Sequence, residues 1–386
     1  MIPYGRHNIS QSDVDAVVDV LRSDFLTQGA VLPRFETAVA EYCGAAQGVA
    51  VNSATSALHV ACLALELGSG DWLWTSPNTF VASANAALYC GAKVDFVDID
   101  PKTYNMCPIK LEQKLKLAEK NGKLPKIVIP VHYGGQPCDM AAIHVLSRKY
   151  GFRIIEDASH AIGSSYNGAK IGSCLDSDIT VFSFHPVKII TSGEGGMAMT
   201  QSAELGRRMR LLRAHGITSE SALFDARPNN EIWNYQQIEL GYNYRMTDIH
   251  AALGLSQLTQ LDQFIGQRHK IASSYATELQ SLPIILPYQA CGTHSSYHLY
   301  PIRVNQPMSG RTQQQVYDWF WQNGISVNLH YIPVHRHPYY KKLGFELGDF
   351  PAAEQMHREV ISLPIYAGLS DSDQTKVIKL THDILS

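Results

Sequence analysis

Lys188 stands four residues beyond a β-rich apolar run, Ile179 to Phe184, and is followed closely by Thr191-Ser192-Gly193-Glu194-Gly195-Gly196. A lysine lodged among hydrophobic neighbours loses its proton more readily, because burial disfavours the ammonium, and a neutral amine can condense with a carbonyl. Ser183 and His185 flank the same strand end, and the glycines let backbone approach a ligand closely. One short stretch could therefore supply a nucleophile, a phosphate donor and a cofactor contact. Upstream, Asn52-Ser53-Ala54-Thr55 lies where a strand turns into a helix. Free amides and the helix dipole favour a phosphate there, with the hydroxyls of Ser53 and Thr55 as further donors, although the same residues would serve an ordinary N-cap. Asp157 ends the apolar run Ile154-Ile-Glu-Asp157, where a carboxylate either holds a pyridine nitrogen protonated or caps the following turn. His160, three residues on, lines the same pocket or hydrogen-bonds within the core. Phe80, after Ser76-Pro77-Asn78-Thr79, stacks on a planar ring or fills the core.

Such residues act together only if the fold brings strand ends to one place. From Gly48 the pattern alternates short apolar strands with longer helices. Strands are expected at Gly48 to Val51, Leu73 to Thr75, Lys93 to Val97, Ile127 to Val131, Phe152 to Glu156, Ile179 to Phe184 and Gly196 to Thr200. Helices between them run to Leu67, then over Phe80 to Tyr89, Ile109 to Asn121 and Met140 to Tyr150, with one more around Leu205 to Ala214. This alternation demands a largely parallel sheet covered by helices on both faces, with ligands at the carboxyl ends of the strands. Ahead of it, Ser10 to Asp13 can cap a helix Val14 to Leu21, Thr27-Gln28-Gly29 reads as a turn, and Val31 to Tyr42 as a second helix. Beyond Met246, a helix Thr247 to Leu261 capped by Thr247 should link to a smaller α+β unit. That unit has helices Arg268 to Leu279 and Arg311 to Asn323 and strands Tyr297 to Val304 and Ile325 to Leu329. The expected division is a large cofactor-binding domain, residues 1–246, and a linker helix with a small C-terminal domain, residues 247–386.

The 386 residues and a net charge of -3 suit a globular protein with a sizeable core and give no nucleic-acid surface or polybasic membrane anchor. Its seven cysteines lack paired spacing, which argues for reduced thiols in the cytoplasm and against zinc. The opening MIPYGRHNIS has no signal-peptide core, and no apolar run spans a bilayer. His335-Arg336-His337, in a Pro-rich loop without carboxylate or cysteine partners, reads as polar surface, so no metal is expected.

Phosphate donors, ring stacker, carboxylate, serine and lysine all fall at successive strand ends of one sheet. A planar phosphorylated pyridine aldehyde held through a lysine needs these parts, and pyridoxal 5'-phosphate is that molecule. The chain at this point resembles the DegT/DnrJ/EryC1/StrS family of sugar-nucleotide aminotransferases, within the aspartate aminotransferase-like fold type I. The matching blocks are Leu26-Thr-Gln-Gly29, Asn52-Ser-Ala-Thr-Ser-Ala-Leu58, Glu156-Asp-Ala-Ser-His-Ala161, Ser183-Phe-His-Pro-Val-Lys188, Glu194-Gly-Gly196, His215-Gly216, Gly241-Tyr-Asn-Tyr-Arg245 and His330-Tyr331.

The resemblance implies an α/β fold whose large domain holds a mostly parallel seven-stranded sheet, beside a smaller α+β domain. It implies that Lys188 links covalently to the cofactor, Asp157 pairs with the pyridine nitrogen, and Ser183 with Ser53, Ala54 and Thr55 holds the phosphate. Phe80 would stack on the ring and His160 lie near its phenolate oxygen, so that Lys188, Asp157 and His160 form the catalytic set. Asn243 would reach the phosphate in a neighbouring subunit, making a homodimer with shared active sites. His330 and Tyr331 would contact the substrate. Relatives that replace the lysine by histidine are dehydratases, so Lys188 favours transamination. The lysine loop and the Phe80 to Asn85 and His298 to Ile302 blocks resemble the pseudaminic acid branch. That branch implies L-glutamate as donor and a UDP-linked 4-keto-6-deoxy N-acetylhexose as acceptor, with perosamine, aminoarabinose and bacillosamine types left open. A nicotinamide dehydrogenase would need a G-x-G-x-x-G turn after the first strand, which is missing. A non-catalytic regulator of the same fold would be expected to carry a DNA-binding helix pair or basic face, and none is seen.

Overall fold

The computed structural model describes residues 1–225 and 231–386. Seven strands form its central sheet: β1 (Gln47–Val51), β2 (Trp72–Thr75), β3 (Lys93–Phe96), β4 (Ile127–Ile129), β5 (Arg153–Asp157), β6 (Ile179–Ser183) and β7 (Gly196–Thr200). Their order across the sheet is β1-β7-β6-β5-β4-β2-β3. Only β7 runs against its neighbours, and the pairs from β6 to β3 are parallel. The expected mostly parallel seven-stranded sheet is therefore present. All five residues of β6 and of β7 are buried, which explains why these strands read as continuous apolar runs and not as alternating ones.

Helices cover both faces: α1 (Gln11–Leu21), α2 (Val31–Cys43), α3 (Ala54–Ala64), α4 (Val81–Tyr89), α5 (Pro108–Lys120), α6 (Met140–Tyr150) and α7 (Ala203–Arg213). Their starts follow the capping chemistry. Ser10 and Asp13 form a reciprocal capping box on α1, and Ser53, Asp139 and Ser202 each accept an amide of the first turn of α3, α6 and α7. A β-carbon on Gly196 would lie 2.5 Å from the Ala54 nitrogen, so the glycine is what lets β7 begin against the start of α3.

Beyond the sheet the helices differ from expectation. α8 (Asp248–Leu258) has Thr247 as its cap, as anticipated, but stops three residues early, and α9 (Leu261–Leu279) starts seven residues before Arg268. Leu261, Phe264, Ile265, Arg268, Ile271, Ala272, Tyr275 and Leu279 are buried at helical spacing, and this face draws the polar residues between them into the helix. The expected strand Tyr297 to Val304 shortens to β8 (Tyr300–Arg303), whose antiparallel partner is β9 (Val360–Leu363), unanticipated. Ile325 to Leu329 forms no strand. Ile325 and Asn328 make only single bridges, to Ile2 and Ser362.

A second apolar core lies around β8 and β9 and includes Tyr275, Tyr300, Ile302, Phe320 and Ile361. Ile2 joins it: the Ile2 amide donates to the Gly324 carbonyl at 2.8 Å, and the Tyr4 carbonyl accepts from Ile365 at 3.1 Å. The amino terminus is thus laid on the C-terminal unit and carried toward the strand ends of the sheet. No helix among the described residues is long and apolar enough to cross a membrane.

Candidate active site

A cavity of about 500 Å³ opens where the carboxyl ends of β5 and β6 meet the start of α3 and the loop after Asn328. Asp157, Ser183 and Lys188 line its inner part, Ser53, Ala54 and Thr55 one wall, and His160, His330 and Tyr331 another. Phe80 and His185 also face it and are more exposed. Of the residues expected in the site, Asn243 alone lies outside the cavity lining, exposed, in a single bridge with Ala214.

At α3, the cap and the anion site coexist. The Ser53 Oγ accepts the Ser56 amide at 3.2 Å, and Asn52 Oδ1 accepts the Ser56 hydroxyl at 2.7 Å. The amides of Ala54 and Thr55, at the first two helical positions, have no carbonyl one turn back and are left for a ligand. The two readings of Asp157 are likewise both realised. Its Oδ1 accepts the Ser159 amide at 3.1 Å, closing the turn, and its Oδ2 accepts the Ser83 hydroxyl at 2.6 Å beside the cavity.

Burial pulls the Lys188 ammonium down to about 8, with the Asp157 charge opposing it. Roughly a tenth of Lys188 is therefore neutral near pH 7, the state that attacks a carbonyl. Across the cavity, His160 Nδ1 accepts the Gly134 amide at 3.2 Å. A neutral ring then carries its proton on Nε2, which donates to the Tyr331 hydroxyl at 3.0 Å. Burial, aided by charge at Lys188 and His330, keeps His160 well below the usual histidine range. Tyr331 is pushed up by burial and by Asp157, so its hydroxyl stays protonated and can donate into the cavity. His330 is pulled down to about 3, by burial and then by Lys188, and its Nδ1 pairs with the Ser362 hydroxyl at 2.9 Å.

Phe80 precedes α4 and is 60% exposed, with its ring centroid 6.3 Å from that of Tyr331. The core reading of this phenylalanine is overturned, and an exposed face at the cavity is available for stacking. His185 Nε2 lies 4.0 Å from Glu194 Oε1, and both residues line the cavity. The surface reading of the His335-Arg336-His337 stretch also fails at His335, while Arg336 and His337 are half-buried. His335 is fully buried, its Nε2 is 2.9 Å from the Glu354 carboxylate, and that partner lies too far along the chain for local spacing to reveal it.

Sequence reasoning missed Tyr4, Ser83, Glu194, His298 and Asn328 as site residues. Ser83 sits in the first turn of α4, and Tyr4 arrives through the amino-terminal segment, so neither carries a local motif. A larger groove of about 600 Å³, between β2, β3 and α5, contains none of the expected site residues, and its Lys110 and Lys114 already pair with Asp98 and Asp95 at 2.7 and 2.6 Å.

The cavity's size and donor set fit pyridoxal phosphate: two unpaired amides at a helix start for the phosphate, a carboxylate for the ring nitrogen and a depressed lysine for the aldehyde. Comparison with known proteins agrees. The sequence profile of the DegT/DnrJ/EryC1/StrS aminotransferase family matches residues 7–381. The chain is 38% identical over 387 residues to the Bacillus subtilis spore coat polysaccharide biosynthesis protein SpsC, covering 100% of this chain and 97% of that one. It is 39% identical over 386 residues to a Campylobacter jejuni UDP-4-amino-4,6-dideoxy-N-acetyl-beta-L-altrosamine transaminase, covering 99% and 96%. Among solved structures, Helicobacter pylori PseC, an aminotransferase of pseudoaminic acid biosynthesis, matches with a TM-score of 0.91 at 29% identity over 100% of this chain and 99% of that one. The PLP form of the Streptococcus pneumoniae putative sugar aminotransferase Spr1654 matches with 0.88 at 29% identity over 100% of both. The chain belongs to the DegT/DnrJ/EryC1/StrS aminotransferase family, and is a pyridoxal phosphate-dependent sugar aminotransferase of fold type I.

Proposed function

We propose that this enzyme transfers the amino group of L-glutamate to the 4-keto group of UDP-2-acetamido-2,6-dideoxy-β-L-arabino-hexos-4-ulose, giving UDP-4-amino-4,6-dideoxy-N-acetyl-β-L-altrosamine. The observation that carries it is the convergence of Lys188, Asp157 and the α3 amides on one cavity, in a chain 39% identical to a transaminase of that product.

Bound there, the cofactor supplies an electron sink for the pair left when a C–H bond breaks. In this reading Lys188 binds its aldehyde, Asp157 holds the ring nitrogen protonated, and Ser183 joins Ser53 and the amides of Ala54 and Thr55 at the phosphate. Phe80 covers the ring face. His160, through Tyr331, governs the ring-oxygen side. As a free amine, Lys188 would move a proton at the glutamate α-carbon and at sugar carbon 4, so the face it occupies would set the product's configuration. His330 and Tyr331 line the substrate side, and His185 closes the rim with Glu194. The exposed position of Asn243 supports a homodimer in which this residue reaches the partner's phosphate site. The same reading keeps a domain boundary near residue 246 and a cytoplasmic location.

Competition between the L-arabino ketone and its D-xylo epimer, with the product assigned by NMR couplings, tests the acceptor. Preference for the L-arabino ketone is expected, and preference for the D-xylo epimer would move the enzyme to the bacillosamine type. Mixing Asn243→Ala with Lys188→Ala chains should restore part of the activity after subunit exchange. Verified mixed dimers without rescue would mean that each pocket is built from one chain.

A further inference from the structure

His298 is buried, lines the cavity and has no role in the proposed reaction. Its ring centroid lies 4.3 Å from that of His160, with 41° between the planes. Its Nδ1 is buried without a hydrogen-bond partner among the described residues, so no bond from that nitrogen orients the ring. The backbone does so instead. Arg268, buried on α9, donates from Nη1 to the carbonyls of Tyr297 at 3.0 Å, His298 at 3.3 Å and Ile365 at 2.9 Å. Two residues earlier, Ser296 donates its hydroxyl to the His160 carbonyl at 2.9 Å, while its amide bonds Ser164 Oγ at 2.9 Å. The segment Ser296 to His298 therefore grips His160 at both backbone and ring.

We infer that His298 is a positioning residue, its ring fixing the plane in which His160 presents Nε2–H to the Tyr331 hydroxyl. Without that ring, His160 would keep its Gly134 bond but gain room to tilt, and the aim at Tyr331 would loosen. Water entering the gap would also let His160 charge more easily. Burial opposes protonation of both rings first, followed by Lys188 and His330 for His160, and by His160, Lys188, Arg268 and His330 for His298. The inference rests on the reading that the cofactor sits beside Lys188.

The test compares His298→Phe, which keeps an aromatic ring, with His298→Ala, which removes it, in full-length protein. Histidine ¹⁵N NMR of cofactor-free chains reads the His160 tautomer directly, its signals assigned by their loss in His160→Gln, and thermal melting checks that each variant is folded. For His298→Phe the Nε2–H tautomer should persist and kcat stay within about threefold of the parent. For His298→Ala the tautomer signals should mix, kcat fall by about tenfold or more, and the acidic limb of the pH profile move to higher pH. A folded His298→Ala with unchanged His160 signals, or a His298→Phe as impaired as His298→Ala, would overturn the inference. The cofactor reading fails separately, if Lys188→Ala still binds the cofactor covalently.

Discussion

Glu156 and Asp157 are consecutive carboxylates of one strand, yet their surroundings give them opposite fates. The pleat sends them to opposite faces of the sheet. Glu156 meets His132 Nε2 at 2.7 Å, the Ser177 hydroxyl at 2.5 Å and the Thr180 hydroxyl at 2.8 Å. His132 Nδ1 accepts the Cys138 amide at 2.9 Å, so its proton sits on Nε2 and is given to Glu156. Burial would raise Glu156, but His132, Ser177 and Thr180 outweigh it and hold the carboxyl below its ordinary range. Asp157 receives one hydroxyl and one turn amide, and its remaining acceptor capacity faces the cavity. A carboxylate becomes available to a ligand where the fold leaves its lone pairs partly unfilled next to an open volume. Glu156, with three donors holding its two oxygens, is a strut.

Exchanging the two environments should therefore separate rate from stability. The largest effect is expected from the lysine that Asp157 faces: Lys188→Ala should abolish both turnover and the absorbance of covalently linked cofactor, since no other amine of the motif can replace the link. Next, Asp157→Asn should retain cofactor and lose several orders of magnitude in kcat, measured by glutamate-dependent amination. A loss below about tenfold, roughly 1.4 kcal/mol, would show that another group keeps the ring nitrogen charged. Glu156→Gln should do the reverse, leaving kcat within about threefold while costing about 1–3 kcal/mol in denaturant unfolding. Because Glu156 is held below its ordinary range, its contribution is full above that range and is lost as pH falls through the lowered value. The gap between parent and Glu156→Gln should thus close as the pH falls into acid. The smallest effect belongs to Ser83→Ala, which removes one donor from Asp157 and should cost about 1 kcal/mol, or roughly fivefold in kcat.

The strand ends of the sheet were legible because each carries its own local signal. Ser53 caps a helix, Asp157 closes an apolar run, and Lys188 precedes a glycine loop that must lie close to other backbone. The small unit was less legible. β9 is an ordinary four-residue apolar stretch that becomes a strand only through β8, and Ile325 to Leu329 has strand composition but spends its bonds on Ile2 and Ser362. Propensity is a weak guide where pairing partners decide.

The sequence by itself determined the alternation that builds the sheet and the kinds of side chain at its carboxyl edge, since periodicity and capping act over a few residues. Tertiary structure alone decided which of these became a wall of the cavity. His160 and Tyr331 meet from positions 171 apart, Arg268 holds His298 from another helix, and Tyr4 comes in with the amino terminus. None of those contacts has a local signature, because each depends on burying two distant apolar faces together, and the hydrogen bonds form where that packing places their donors and acceptors.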